Sequence, residues 1–224
     1  MSENHVIIND ERINFEYLIG ADGSNSIVRK YLGVVTKKFG VAFQYFIPQK
    51  QNRYNDIEII LDKKLFHAWY AWIFPYENKV SVGSGYFPRL TSAKESIANF
   101  EQWAKEEDID ISGSKFEAHP INCDYRGFEF GNKFLIGDAA GFASAFTGEG
   151  IYQAIISGDD VAKCILDSKH KCLRIKEILH EKRIQEFLLL LIILSGPFKD
   201  LVFYAVIFAV RINFLGKLLL RVLS

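Results

Sequence analysis

Twice in this sequence an apolar run ends in a glycine and an aspartate and then opens a helix. This doubled construction constrains the fold more than any other feature. The first copy is Gly20-Ala21-Asp22-Gly23-Ser24-Asn25-Ser26, leading from a short strand at Tyr17 to Gly20 into a brief helix at Val28 to Leu32. The second is Gly137-Asp138-Ala139-Ala140-Gly141, followed by Thr147-Gly148-Glu149-Gly150-Ile151 and a helix from about Glu149 to Leu166. Glycine lets a backbone lie closely against a ligand. The carboxylates of Asp22 and Asp138 accept hydrogen bonds from hydroxyls, and the N–H groups at a helix start suit a phosphate or a polar ring edge. Taken singly, each copy also reads as a tight strand-to-helix turn, the second with an N-cap around Thr147. Two copies more than a hundred residues apart are much harder to dismiss as ordinary turns.

The stretch between them has a different texture. Val41 to Ile47, Ile57 to Leu61, His67 to Phe74 and Lys79 to Tyr86 are rich in aromatic and β-branched residues, which predicts a twisted antiparallel sheet. Pro75-Tyr76-Glu77-Asn78 supplies a turn between the last two. Ser92 and Glu95 fit a capping box for a helix over Thr91 to Glu107, with Ile97, Phe100 and Ala104 on one face. Ile111 to Phe116 reads as a returning strand, and Lys133 to Gly137 as the strand before the second glycine-aspartate turn. Near the start, His5 to Ile8 and Ile13 to Phe15 read as short strands about an Asn9-Asp10 turn.

Composition narrows the function classes. The 224 residues hold 27 basic and 27 acidic side chains, a balance that argues against a general nucleic-acid binder. Three cysteines without a Cys-x-x-Cys exclude a disulfide scaffold and a zinc ribbon, and favour a reduced, intracellular compartment. Met1 to Asn14 has neither the charged nor the apolar region of a signal peptide. From Lys163 onward there are 11 basic residues against 5 acidic ones, in the most apolar part of the chain, which suits a membrane surface. The uncharged runs there, 12 and 10 residues long, are divided by Lys199-Asp200, and both fall short of the roughly 18 residues a spanning helix needs. A helix ending at Leu194, a break at Gly196-Pro197 and a second helix from about Lys199 to Leu223 are expected. The second helix would gather Lys199, Asn213, Lys217, Arg221 and Ser224 in one sector. The other reading of that helix buries it against the sheet.

Gly20 to Arg29 resembles the second flavin fingerprint of FAD-dependent monooxygenases and reductases, and Gly137 to Ile151 resembles their third. The resemblance implies that Asp138 binds the ribityl chain of FAD. It implies backbone at Gly148 and Gly150 beside the isoalloxazine ring, and Asp22 on the pyrophosphate side. Gly23, Arg29, Gly137, Gly141, Thr147 and Glu149 complete the cofactor set that it implies. His67-Ala68-Trp69-Tyr70-Ala71-Trp72-Ile73-Phe74-Pro75 resembles the Tyr-x-Trp-x-Phe-Pro motif of geranylgeranyl reductases, through Tyr70, Trp72, Phe74 and Pro75. Val82-Gly83-Ser84-Gly85 follows as the next strand does in that family. Strand alternation puts Tyr70, Trp72 and Phe74 on one face. Such a strip would line a channel for a long apolar chain. Without the flavin motifs it reads as a sheet face packed on a core helix.

The fold so implied is α/β (α+β): an incomplete, Rossmann-like FAD-binding domain at 1–39 and 119–166, an antiparallel-sheet substrate domain at 40–118, and an apolar helical tail at 167–224. The implied function is an FAD-dependent oxidoreductase that saturates C=C bonds of a prenyl chain or isoprenoid lipid. Its electron donor would be NAD(P)H or a ferredoxin-like protein, and its place the cytoplasm, peripheral on a membrane. A flavin-dependent hydroxylase of the same superfamily is the alternative enzyme. A non-catalytic half of a split protein, binding a lipid or a partner, is the alternative outside enzymes. It is raised because the family's Gly-x-Gly-x-x-Gly unit is not in the sequence; Gly83-Ser84-Gly85 runs into Tyr86-Phe87-Pro88 and opens no helix. The chain is therefore read as starting inside the flavin domain, with a separate N-terminal half as an expected partner. Ala145-Phe146 stands where many relatives carry proline, which would loosen that turn. Cys123, Cys164 and Cys172 lack metal-ligand spacing and read as structural or incidental thiols, so no metal is expected. Glu149 reads as a helix cap rather than a proton donor, and no catalytic residue stands out.

Overall fold

The structure is a computed structural model that describes residues 4–49, 53–195, 198, 201–202, 204–205 and 208. In chain order its elements are β1 (His5–Ile8), β2 (Glu11–Asn14), β3 (Leu18–Gly20), α1 (Ile27–Tyr31), β4 (Phe39–Pro48), β5 (Glu58–Ile60), β6 (Ala71–Pro75) and β7 (Lys79–Tyr86). There follow α2 (Ala93–Glu106), β8 (Lys115–Asn122), β9 (Glu129–Phe130), β10 (Lys133–Leu135), α3 (Gly137–Ala140), α4 (Ile151–Leu166) and α5 (Leu173–Leu194). The chain divides into two compact units, residues 1–38, 122–143 and 149–180 in one, and 39–121, 144–148 and 181–224 in the other.

In the first unit β1 and β2 form a hairpin about Asn9 and Asp10, both at positive φ (51° and 66°). Two successive left-handed residues match the right-handed twist of the strands they join, and Asn and Asp tolerate that region best after glycine. A three-stranded sheet has the order β3-β10-β9, with β3 parallel and β9 antiparallel to β10. Behind it lies an apolar core of Phe134, Leu135, Ala139, Phe142, Ile156, Val161, Ile175 and Ile178.

The second unit is a five-stranded sheet of order β5-β6-β7-β4-β8, covered on one face by α2. Ser92 caps α2, its hydroxyl accepting from the Glu95 N–H at 3.2 Å. The buried residues Ser96, Phe100, Trp103 and Ala104 recur at helical spacing and form the stripe that faces the sheet. Register decides what they meet. Phe43 pairs with Ser84, Tyr45 with Val82 and Ile47 with Val80, while Ala71 pairs with Ser84 and Ile73 with Val82. These residues share the α2 face, and Phe43, Ile47, Ala71, Ile73, Val80 and Val82 are its buried core.

Two expected strands differ. The strand expected over His67 to Phe74 is shortened to begin at Ala71. Upstream, the Asp62 carboxylate accepts from the N–H groups of Lys64 and Leu65, and Phe66 N–H returns to the Asp62 carbonyl. His67 then turns the chain at φ 57°, and the Trp69 N–H bonds the Phe66 carbonyl at 2.9 Å instead of joining a ladder. The strand expected over Ile111 to Phe116 starts only at Lys115, because Asp110 closes a turn with Ser112 and Ser114 N–H bonds the Ile111 carbonyl. The first tail helix is α5. The second tail helix and its stripe of Lys199, Asn213, Lys217, Arg221 and Ser224 lie outside the described residues apart from 201–202, 204–205 and 208. Among the described residues no helix is long and apolar enough to cross a membrane.

Candidate functional site

The parallel register of β3 and β10 makes one place out of two distant sequence motifs. Leu18, Ile19 and Gly20 lie opposite Lys133, Phe134 and Leu135, and the Ile136 N–H donates to the Gly20 carbonyl at 3.0 Å. Both strands therefore end at the same edge, and both glycine-aspartate turns open there. In sheets of this kind, ligands sit beyond the carboxyl ends of parallel strands. The Ser24 hydroxyl crosses between the turns and donates to Asp138 Oδ2 at 2.7 Å. Asp138 is half-buried in the first turn of α3, and its other oxygen lies against Gly150: a Cβ there would come within 2.7 Å of Asp138 Oδ1. The absent side chain is what leaves the carboxylate its position.

The other expected cofactor residues divide by what they touch. Asp22 faces its own helix. Its Oδ2 accepts from the N–H groups of Ile27 at 2.6 Å and Val28 at 3.3 Å. Partial burial opposes its charge, but the Ser26 hydroxyl and these two N–H groups outweigh that and hold its pKa below the ordinary value. The helix N–H groups that the sequence reading offers to a phosphate are thus capped by Asp22, and Arg29 N–H by the Ser26 hydroxyl. Gly23, at φ 73°, stands in open space. Arg29 is 2% exposed and donates to the carbonyls of Ala139 at 3.1 Å and Asp124 at 2.7 Å. It is a strut between the two turns rather than a group presented to a ligand. Gly137 donates its N–H to the Ser157 hydroxyl at 3.0 Å. Gly141, at φ 82°, lies so close to Asp124 that a Cβ would fall 2.5 Å from its carbonyl. Gly148 N–H, expected to point at a ligand, bonds the Ser144 carbonyl at 3.0 Å. Glu149 is exposed, and α4 begins at Ile151 with Gly150 at its N-cap.

Several residues of the site gave no sequence signal. Asn122 is fully buried, donates from Nδ2 to the Asp138 carbonyl at 2.8 Å, and receives the Asp124 N–H on Oδ1 at 3.0 Å. Its own N–H reaches the Ser24 hydroxyl at 3.1 Å. Asp124, 3% exposed, accepts from Lys37 N–H at 2.7 Å and from Arg126 Nε at 3.0 Å. Burial pushes its pKa up, but these donors and the nearby Arg29 charge win and hold it low. The signal available was Asn-x-Asp just after a strand, a pattern too common to single out. Ser144 closes the loop that Ala145-Phe146 was expected to loosen, its hydroxyl accepting from Phe146 and Thr147 N–H at 3.2 and 3.1 Å.

The aromatic strip lies on the sheet face opposite α2. Trp72 pairs with Gly83 and Phe74 with Ser81, out of phase with the α2 core. Ring centroids run 6.1 Å from Tyr70 to Trp72 and 5.8 Å from Trp72 to Phe74. Gly83 and Gly85 make room beneath the indoles of Trp72 and Trp69, where any Cβ would overlap the rings. Trp72 Nε1 donates to Ser81 Oγ at 3.0 Å, and Ser81 in turn to Gln44 Oε1 at 2.7 Å. Tyr70, just outside β6, donates its hydroxyl to the Thr147 carbonyl at 2.5 Å. That bond ties the strip to the loop of the second glycine-rich stretch. Pro75 closes β6.

The cysteines depart from the reading of three unrelated thiols. Cys123 is buried, whereas Cys164 and Cys172 are joined as a disulfide across the α4–α5 turn, beside His170. A spacing of eight residues brings them together only because the chain reverses between two helices.

No family model matches the chain. The chloroplastic geranylgeranyl diphosphate reductase of Oryza sativa subsp. japonica is 34% identical over 166 residues, covering 70% of this chain and 35% of that protein. The geranylgeranyl diphosphate reductase of a Synechocystis strain is 31% identical over 169 residues, covering 73% of this chain and 42% of that protein. The chain thus spans between a third and a half of the length of these curated relatives. Among solved structures, a geranylgeranyl bacteriochlorophyll reductase-like protein from Thermoplasma acidophilum superposes with a TM-score of 0.60 at 21% identity, over 80% of this chain and 48% of that one. A flavin-dependent halogenase from Brevundimonas sp. gives a TM-score of 0.60 at 12% identity, over 84% and 40%. At these identities the two structures speak to the fold alone.

Proposed function

We propose, for a chain that belongs to the geranylgeranyl reductase family, a role in the FAD-dependent saturation of C=C bonds in a prenyl chain or isoprenoid lipid. One observation carries the reading: the Tyr70–Trp72–Phe74 strip is on the sheet face that α2 does not cover, and Tyr70 is bonded to the Thr147 carbonyl in the flavin-type loop. Trp72 is buried on that face, and Tyr70 and Phe74 are half-buried beside it. A flavin-dependent hydroxylase of the same superfamily is the second reading, because the two glycine-aspartate turns by themselves suit either enzyme. The aromatic motif favours the reductase.

The residues present fit a flavin. Two turns open at the ends of adjacent parallel strands, and Gly150 leaves a space against Asp138 that any side chain would fill. Asp138 would accept hydroxyl hydrogen bonds from the ribityl chain, with Ser24 fixing the carboxylate's other oxygen. Arg29, Asn122 and Asp124 would keep the two turns in register. When bound and reduced, the flavin would supply hydride, the hard chemistry of the reaction. The chain's own part would be to orient the prenyl group along Tyr70, Trp72 and Phe74 and to exclude water from it. The electron donor, NAD(P)H or a ferredoxin-like protein, the separate N-terminal half and a peripheral membrane location belong to the same proposal, the last supported by the basic, apolar tail.

The test is anaerobic incubation of the chain, supplied together with the family's Gly-x-Gly-x-x-Gly half, with FAD, dithionite and geranylgeranyl diphosphate, followed by mass spectrometry of the lipid. Gain of hydrogen pairs, lost in Asp138→Ala, is the expected result. Hydroxylated product in the presence of oxygen, with no saturated lipid under either condition, would move the assignment to the hydroxylase.

A further inference from the structure

Helices α4 and α5 are joined by a short reversal, residues 167–172, and its three soft or borderline donors converge. Cys164 lies in the last turn of α4, His170 in the reversal, and Cys172 immediately before α5. One donor atom from each lies within 4.8 Å of the others. We propose that, with the two cysteines reduced, this trio binds a thiophilic divalent cation of the zinc class.

Three further observations support a built site. First, His170 is oriented from behind. Its Nε2 lies 2.8 Å from Oδ1 of Asp160, a residue 1% exposed, whose Oδ2 accepts the Ile175 N–H at 2.9 Å. A carboxylate held at both oxygens fixes the ring through Nε2, so Nδ1 is the nitrogen left to meet a cation. Histidines that ligate metals are usually held this way. Second, Cys172 occupies the left-handed region at φ 45°, where glycine would be cheaper. The backbone accepts that strain and aims the thiol at Cys164. Third, the cluster is reachable: Cys164, His170 and Cys172 line a cleft of about 600 Å³ with Phe128, Phe134 and Leu179. Two thiolates and a neutral imidazole match zinc in charge and softness, and the cleft admits water as a fourth ligand to complete a tetrahedron.

The disulfide and the cation use the same two sulfurs, so they exclude one another. Reduction by a trialkylphosphine breaks the sulfur–sulfur bond. The phosphine takes an oxygen atom from water and becomes its oxide, and the sulfurs take the two protons. Binding a divalent cation then releases both protons to solvent.

The experiment uses the full chain, reduced with phosphine, desalted under argon and titrated with Co²⁺ as the spectroscopic probe. Expected is one equivalent bound, with sulfur-to-cobalt charge-transfer absorption and the intense visible bands of a tetrahedral site, displaced by Zn²⁺. Cys164→Ser, Cys172→Ser and His170→Ala should each weaken binding at least tenfold, while Cys123→Ala leaves it unchanged. Asp160→Asn should weaken binding by about 10- to 100-fold yet keep the charge-transfer bands, as a positioning residue does. Circular dichroism on each sample confirms that the folded chain is being read, and His170→Ala serves if a cysteine variant fails to fold. Reduced, folded wild type that binds no Co²⁺ overturns the proposal. So does Co²⁺ binding with a spectrum indifferent to both cysteines, or a disulfide that survives excess phosphine in the folded chain.

Discussion

Replacing Arg29 by methionine should destabilise the fold without touching the flavin directly. The side chain is buried and gives two charge-assisted hydrogen bonds, to the carbonyls of Ala139 and Asp124. Each such bond contributes about 1.5–3 kcal/mol, and its loss here leaves a buried carbonyl without that donor. One term runs the other way: Arg29 Nε is buried with no partner, so its removal recovers a desolvation cost of about 1–3 kcal/mol. Methionine keeps much of the volume, so a large cavity term does not enter. At mid-range the net loss is about 2–3 kcal/mol, a large share of the roughly 5–15 kcal/mol that holds a domain together. Arg29→Lys should fall between, because one ammonium cannot reach both carbonyls in the fixed fork geometry of a guanidinium. Urea denaturation followed by circular dichroism measures this, with midpoints compared at unchanged slope. Flavin affinity of the folded fraction should stay within about threefold. A midpoint shift equivalent to less than about 0.5 kcal/mol, the range of ordinary surface substitutions, would refute the strut reasoning. Unchanged stability with flavin binding abolished would return Arg29 to the ligand.

Gly150→Ala should do the reverse. Its φ of −142° suits alanine, but the new Cβ would sit 2.7 Å from Asp138 Oδ1, so the carboxylate must swing away. Thermal stability should hold while flavin retention, read by absorbance after desalting, falls at least about tenfold, equivalent to about 1.4 kcal/mol. Asp124 predicts an acid limb. Its pKa is depressed in the fold, so its contribution is complete above the unfolded value of about 3.9 and is lost as pH falls through the lower folded value. Stability measured from pH 5 downward should fall less steeply in Asp124→Asn than in wild type. Trp72→Ala should reduce prenyl turnover more than stability. Equal loss of both would make the strip ordinary packing, since truncating a core aromatic costs about 3–5 kcal/mol.

How much of this was legible depends on the distance over which each feature is encoded. The β1–β2 hairpin, the Ser92-capped helix, β7 and the two glycine-aspartate turns were readable because turn chemistry, capping and alternation act within a few residues. Even there, competing local bonds shifted the edges: the bond from Trp69 to Phe66 shortened the aromatic strand and Asp110 delayed β8. The face carried by Tyr70, Trp72 and Phe74 was legible from period alone, while its being opposite α2 was not.

By itself, then, the sequence determined which residues could turn, cap and alternate, and its motifs determined the family. Tertiary structure decided what those residues are for. Arg29 became a strut because β3 and β10 are parallel neighbours, which carries its guanidinium to carbonyls at Asp124 and Ala139, 95 and 110 residues away. Asp22 turned back onto its own helix, where its carboxylate accepts from the N–H groups of Ile27 and Val28. Cys164, His170 and Cys172 became a cluster because α5 reverses on α4. Periodicity records which way a side chain points along its own element. It does not record which element, folded back from far along the chain, will stand opposite, and the chemistry of this protein is set by those encounters.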